Sequence, residues 1–295
     1  KKSPFGIKDI LIHNDLLFIS YTNEISDDCF NTSILYANLN NDFLEFENFF
    51  NPNYCVSKKN VFGSFVPHSS GGRMTSFDEK NIIFTNGEFG YRAHSQDKKN
   101  VFGKIIKINI DTKKTKLLSM GHRNPQGLLY DKKNNLIINT EHGPQGGDEI
   151  NFNFIEKKKI KNFGWPISSY GEHYGFVKRD DEHILYIKAP LYKSHAEYGF
   201  DEPFKYYVPS TGISQMVYLS NNFSSDGEKY LYVSSLRATS LYVIKINDKF
   251  NKILDEDRIY FSQKRIRDIE YDKENNVFFL MFEFTPSIGI LSLKN

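Results

Sequence analysis

The chain has 295 residues, enough for one large domain or two ordinary ones. Its 38 Lys and Arg against 36 Asp and Glu leave a formal charge of +2, which excludes partners recruited by net charge, such as nucleic acid or an anionic membrane. No apolar run approaches the roughly 18 residues of a transmembrane helix, and 39% hydrophobic content with 26 Phe and 18 Tyr excludes disorder. Two cysteines, Cys29 and Cys55, allow at most one bridge and no four-thiolate zinc site. The chain opens at Lys1 without Met or an apolar leader, which reads as a processed form or an excised piece.

Helix signals are nearly absent. Residues 6–21 (GIKDILIHNDLLFISY) give an apolar pair, a polar turn and a β-rich run. The same plan returns in 72–88 (GRMTSFDEKNIIFTNGE), 126–143 (QGLLYDKKNNLIINTEHG), 212–236 and 266–283 (IRDIEYDKENNVFFLMFE). Further alternating strands are expected at 33–39, 104–110, 240–246 and 287–293. Hairpins recurring roughly every 50 to 90 residues fit a β-propeller, in which blades of four antiparallel strands bury their faces against neighbours. The reading is therefore all-β, a single β-propeller domain over 1–295. Residues 157–200 fit no unit and read as a long loop insertion, with the lysine run 157–161 as a solvated turn.

Arginine is scarce, at eight positions against 30 lysines, so each Arg carries more weight as a planar bidentate donor. No serine-hydrolase elbow, zinc-protease helix, dinucleotide fingerprint or P-loop occurs. Instead Gly, Pro, Asn and His crowd into Gly121–Gly127 (GHRNPQG), Thr140–Glu149 (TEHGPQGGDE) and Asn162–Pro166 (NFGWP). Such loops at blade ends are where propellers place ligands.

Those three motifs, in that order, resemble the soluble quinoprotein glucose/sorbosone (aldose sugar) dehydrogenase family. Tyr207–Ser210 (YVPS), Ser235–Arg237 (SLR) and Arg265–Asp268 (RIRD) resemble its later motifs, and the match runs from about Gly6 to the C-terminus. The resemblance implies a six-bladed propeller, pyrroloquinoline quinone (PQQ) over the central opening, calcium, and oxidation of a small sugar with electrons passed to an acceptor. It also implies a periplasmic or secreted location. PQQ carries three carboxylates, and Arg–carboxylate pairs are strong charge-assisted contacts. By the resemblance Arg123, Asn124, Ser210, Arg237, Arg265 and Arg267 hold it. A second reading of Arg265 and Arg267 is that alternate residues of one strand pair with Asp or Glu.

The carbonyls of Gly143 and Pro144 match the family's cofactor calcium, a hard ion that takes oxygen ligands. Glu149 and the Phe163 carbonyl match a second, structural calcium; a tight turn with an exposed Glu is the bland alternative. A general base must take the proton of the sugar C1 hydroxyl, and His suits that near neutral pH. His68 matches the family's base, with Glu88 behind it. The chain departs from the pattern in three places. His68 stands five residues before Arg73 rather than the usual four; Val208 replaces an aromatic sugar-stacking residue; and the family's first blade-length segment is absent, so that five units are visible. Two functions stay open: a PQQ- and calcium-dependent sugar dehydrogenase, and a non-catalytic propeller of the same lineage binding a carbohydrate or protein. The cysteines flank the first strand pair and are either two thiols or, in an exported chain, a bridge, which requires Cα atoms within about 7 Å.

Overall fold

The structure is a computed structural model, described here over residues 6–40, 42–60, 63–156, 159–174, 187–220 and 228–292. Strands dominate the described residues; helix is confined to short turns such as the 3-10 pieces Arg92–Gln96 and Ala196–Tyr198. Five antiparallel sheets follow one another as blades. Blade 1 is Ile7–His13, Leu16–Ser26, Cys29–Asn38 and Glu47–Phe50. Blade 2 is Gly71–Asp78, Asn81–Asn86, Lys104–Asn109 and Thr115–Met120, with Lys161–Asn162 added in parallel at its outer edge. Blade 3 is Pro125–Asp131, Leu136–Glu141 and Asp148–Phe154, closed by Lys205–Tyr207. Blade 4 is Ile213–Leu219, Lys229–Ser235, Ser240–Ile246 and Ile253–Tyr260. Blade 5 has three strands, Arg265–Asp272, Val277–Glu283 and Ser287–Ser292.

Each blade turns alternate side chains to its two faces, and neighbouring faces interlock as separate apolar layers. Phe18 and Ile34 of blade 1 meet Met74 and Phe84 of blade 2. Ile83 and Ile105 of blade 2 meet Leu128 and Ile137 of blade 3. Ile138 and Ile150 of blade 3 meet Val233 and Ile244 of blade 4, and Leu241 of blade 4 meets Ile266 and Phe278 of blade 5. Four seams thus join five blades, and among the described residues no fifth seam joins blade 5 to blade 1. The outward faces there stay wet: Ile10 and Ile12 on blade 1, and Met281, Ile288 and Ile290 on blade 5, with Ile290 70% exposed. A cavity of about 1250 Å³ runs between the inner strands and reaches both faces, touching Ile10, Met281 and Ile288.

One arginine ties the inner strands together. Arg73 of blade 2 donates to Asp9 of blade 1 (3.2 Å), to Asp268 of blade 5 (2.6 Å) and to the Gln126 carbonyl of blade 3 (2.7 Å). Blade 4 joins through Gln215, whose Oε1 accepts from the Leu128 N–H at 3.0 Å. Outside the sheets, Cys29 and Cys55 are bridged, with Cα atoms 5.3 Å apart, so of the two alternatives the bridge is the one present. The lysine run is not wholly a solvated turn. Lys157 and Lys158 lie outside the described residues, but Lys161 is part of a strand and its Nζ donates to the Phe152 carbonyl at 3.0 Å.

Candidate functional site

The sequence motifs converge at one end of the ring, where the inner strands begin. The His68 turn is laid against the chain just after blade 2's second strand. Val66 N–H donates to the Phe89 carbonyl, Phe89 N–H to the Ser69 carbonyl and Gly87 N–H to the Ser70 carbonyl, at 2.8 to 2.9 Å. Glu88 N–H in turn donates to the Arg123 carbonyl (3.1 Å), and Asn124 Oδ1 accepts from Gly71 N–H (3.3 Å). His142 N–H donates to the Asn124 carbonyl (3.1 Å), and Arg123 Nη1 to the His142 carbonyl (3.0 Å). His68, Glu88, Arg123, Asn124 and Gly143 therefore sit on one continuous hydrogen-bonded rim.

Asp148 carries that rim across to blade 4. It is fully buried, and its carboxylate accepts from Gly143 N–H (3.2 Å), Thr211 N–H (3.0 Å) and Gly212 N–H (2.6 Å). Arg237 N–H then donates to the Thr211 carbonyl (3.0 Å), placing Arg237 beside the Ser210 loop. Sequence reasoning quoted Asp148 within GGDE without giving it a role. A carboxylate bracketed by Gly-rich turns is the available signal, because such turns leave amide donors that need an acceptor.

The arginines divide into two kinds. Arg123 is 9% exposed and its guanidinium faces the Trp165 ring at 5.5 Å. Arg237 is exposed, and among the described residues its guanidinium has no side-chain partner. Arg265 and Arg267 both pair with Glu283, Arg265 Nε at 2.6 Å, and Arg267 Nη1 also donates to Gln126 Oε1 at 3.1 Å. They follow the alternate-residue pairing expected of one strand face. Ser210 is half-buried between Pro209 and Thr211, near the exposed Val208.

Glu88 is 1% exposed, and its Oε2 has no hydrogen-bond partner. Burial pushes its carboxyl upward, and the charges of Arg123 and Arg92 offset this only in part. His68 is exposed, and no hydrogen bond joins its ring to Glu88. The backbone pairing brings the two segments side by side, while Glu88 itself faces the arginines. His142 is held below its ordinary pKa by burial; Asp148 opposes this, and Arg267 and Arg123 add to it. Its Nε2 lies 2.6 Å from the Ile213 carbonyl, so the neutral ring carries its proton there.

Two expected groups can be tested against this geometry. Arg123 and Arg237, with Arg265 and Arg267 sharing the carboxylate of Glu283, form a cationic donor set that suits a tricarboxylate such as PQQ, and an orphaned buried Glu88 oxygen lies beside Arg123. The turn after His142 suits a cation: a Cβ on Gly143 would meet the Gly147 carbonyl oxygen at 2.2 Å and that of Gly146 at 2.4 Å, a cradle of oxygens only glycine permits. The second calcium set does not fit. Glu149 is 6% exposed and its Oε1 is already faced by His195 Nε2 at 3.3 Å. Burial opposes the charge on that ring, yet the Glu149 carboxylate holds it above its ordinary pKa. Beside this pair lies a similar one: His122 Nδ1 is 3.0 Å from Glu141 Oε1, whose other oxygen accepts from Arg123 N–H at 2.7 Å. Asn151 Nδ2 spans the two carboxylates, at 2.6 Å from Glu141. Sequence reasoning assigned no role to Glu141, Asn151 or His195; His195 has its carboxylate partner 46 residues away.

A family model for glucose/sorbosone dehydrogenase matches residues 3–285. The chain belongs to that family. It is 26% identical over 314 residues to the aldose sugar dehydrogenase YliI of Escherichia coli, covering 98% of this chain and 78% of the relative. It is 27% identical over 141 residues to quinoprotein glucose dehydrogenase B of Acinetobacter calcoaceticus, covering 37% of this chain and 28% of that one. The fold is similar to the apo-form of the soluble E. coli aldose sugar dehydrogenase, with a TM-score of 0.74 at 23% identity, over 95% of this chain and 80% of that one. It is also similar to the PQQ-bound aldose sugar dehydrogenase of Streptomyces coelicolor, with a TM-score of 0.64 at 18% identity, over 94% and 73%. The family is one of oxidoreductases, and the five blades are an all-β propeller of that kind. No helix among the described residues is long and apolar enough to cross a membrane.

Proposed function

We propose that this chain oxidises an aldose sugar at its C1 carbon using PQQ and calcium, at the rim that carries His68, Arg123 and Gly143. The observation that carries the reading is the unbroken run of hydrogen bonds from the His68 turn through Glu88, Arg123, Asn124 and Asp148 to Arg237. It gathers motifs spread over much of the sequence onto one mouth. Arg123 and Arg237 hold the quinone's carboxylates, supported by Arg265 and Arg267 from the Glu283 side and by Asn124 and Ser210 as neutral donors. The carbonyls of Gly143 and Pro144 hold the calcium, and Asp148 keeps their turn in shape. When bound, PQQ supplies a hydride acceptor whose carbonyls the calcium polarises.

The remaining chemistry belongs to the chain. His68 takes the proton from the sugar C1 hydroxyl on an imidazole nitrogen, which needs a neutral, accessible ring on the rim. Glu88, on the neighbouring segment, is a buried carboxylate with an unused oxygen that faces Arg123 and Arg92 rather than the ring. Trp165 stacks on Arg123 and shields that guanidinium from water, which strengthens its hold on an anion. The exposed Val208 leaves the sugar without a stacking ring there, which argues for a substrate other than glucose. We read the open gap between blades 5 and 1 as the place of a sixth antiparallel sheet, apolar on both faces, and the family's export as the chain's own route.

A non-catalytic propeller binding a carbohydrate or protein is the second reading. The separation of the His68 ring from Glu88 favours it. Quinone binding decides: Arg123→Lys should weaken PQQ binding far more than Lys107→Ala, because only the first removes a planar fork from the rim. Equal binding by both variants and the parent removes the arginine cluster from the cofactor site.

A further inference from the structure

The place the family resemblance gives to a structural calcium is filled by a side chain. We propose that the His195 ring occupies it, fastening residues 194–196 to blade 3 so that no divalent cation enters beside Glu149. His195 is fully buried, its Nε2 stands 3.3 Å from Glu149 Oε1 as an ion pair without a hydrogen bond, and its ring lies against Gly164, the residue after Phe163. Packing holds the imidazole in this position. Ser168 Oγ lies 3.0 Å from Nδ1, and the Tyr170 ring lies 5.3 Å away between centroids. Gly164 presses so close that a Cβ there would fall 2.9 Å from Nδ1 and 2.0 Å from Ser168 Oγ. The backbone is fastened independently, since Glu202 Oε1 accepts from His195 N–H (2.9 Å) and Ala196 N–H (2.8 Å), while Tyr170 Oη donates to Glu202 Oε2 (2.7 Å).

Calcium collects six to eight oxygen ligands. Here a carboxylate oxygen of Glu149 is already faced by a nitrogen heterocycle, which is not an oxygen ligand and leaves the ion short of its set. The ring thus takes the ion's place beside the Glu149 carboxylate, and does so from within the chain.

The test uses the full chain without quinone, so its outcome is separate from that of cofactor binding. Thermal unfolding is followed in chelator and in millimolar calcium for the parent and Glu149→Gln, and the His195 imidazole signals of the parent are followed by NMR during calcium and zinc titrations. The expected result is that neither metal moves the His195 signals, and that any calcium-dependent rise in Tm is the same in Glu149→Gln as in the parent. Movement of the His195 signals as either metal saturates, or a calcium-dependent rise that Glu149→Gln abolishes, would overturn the proposal. If the variant does not fold, the NMR titrations of the parent decide.

Discussion

Glu88 has its pKa raised in the folded chain, so the native state holds that proton more tightly than the unfolded chain does. Its ionisation therefore costs stability increasingly as pH climbs above the ordinary carboxylate range. Glu88→Gln is expected to raise Tm at pH 7 and to leave it nearly unchanged near pH 4, as scanning calorimetry at the two pH values reads; a lower Tm at pH 7 contradicts the assignment. His68→Gln should lower dye-coupled turnover by about 10²–10⁴-fold, the usual range for a general base, with the bound-quinone absorbance unchanged. Unchanged turnover would remove His68 from the reaction. At this scale the sequence showed what lies inside a motif. Arg123, Asn124 and Gly143 announce themselves because Gly, Pro and Asn crowd around them. His195 and Asp148 do not, since the one has its carboxylate partner 46 residues away and the other gathers amides some 63 residues downstream.

Each blade's inner hairpin was legible because its strands alternate apolar and polar residues across a short polar turn. The outer strands were not. Ile253–Tyr260 is exposed at nearly every position, and Glu47–Phe50 buries only Phe49, so neither carries a hydrophobic period to read. The Arg73 hub was equally invisible: the residue looked like a strand start, and only the ring brings Asp9, Gln126 and Asp268 to it. Arg73→Met leaves the 11%-exposed Asp9 side chain without its cation, and should lower unfolding free energy by about 3 kcal/mol, the low end for a broken buried pair. The low end is chosen because the Asp268 side chain is 32% exposed and water screens it. Urea unfolding measures this; a loss under about 1 kcal/mol would show the hub to behave as a surface pair.

For the molecule as a whole, the five repeats showed the architecture because each blade must bury an apolar face against a neighbour, which forces the same pattern five times. What the repeats could not show is closure. Four apolar seams for five blades leave Ile10 and Ile12 facing Met281, Ile288 and Ile290 across an open side, and the cavity between them continues into the centre of the ring. The rim that gathers the motif residues belongs to blades 2 to 5, so the arginines and the Gly143 turn are in place around it. The reading of this chain as a quinone-dependent sugar oxidoreductase is therefore tested most directly by reconstitution. Purified chain is mixed with PQQ and calcium, freed of excess, and assayed for retained quinone absorbance and for dye reduction across a panel of aldoses. The expected result is retained quinone with at least one aldose oxidised, both lost when calcium is chelated before mixing. A chain that folds yet retains no quinone and reduces no dye contradicts it.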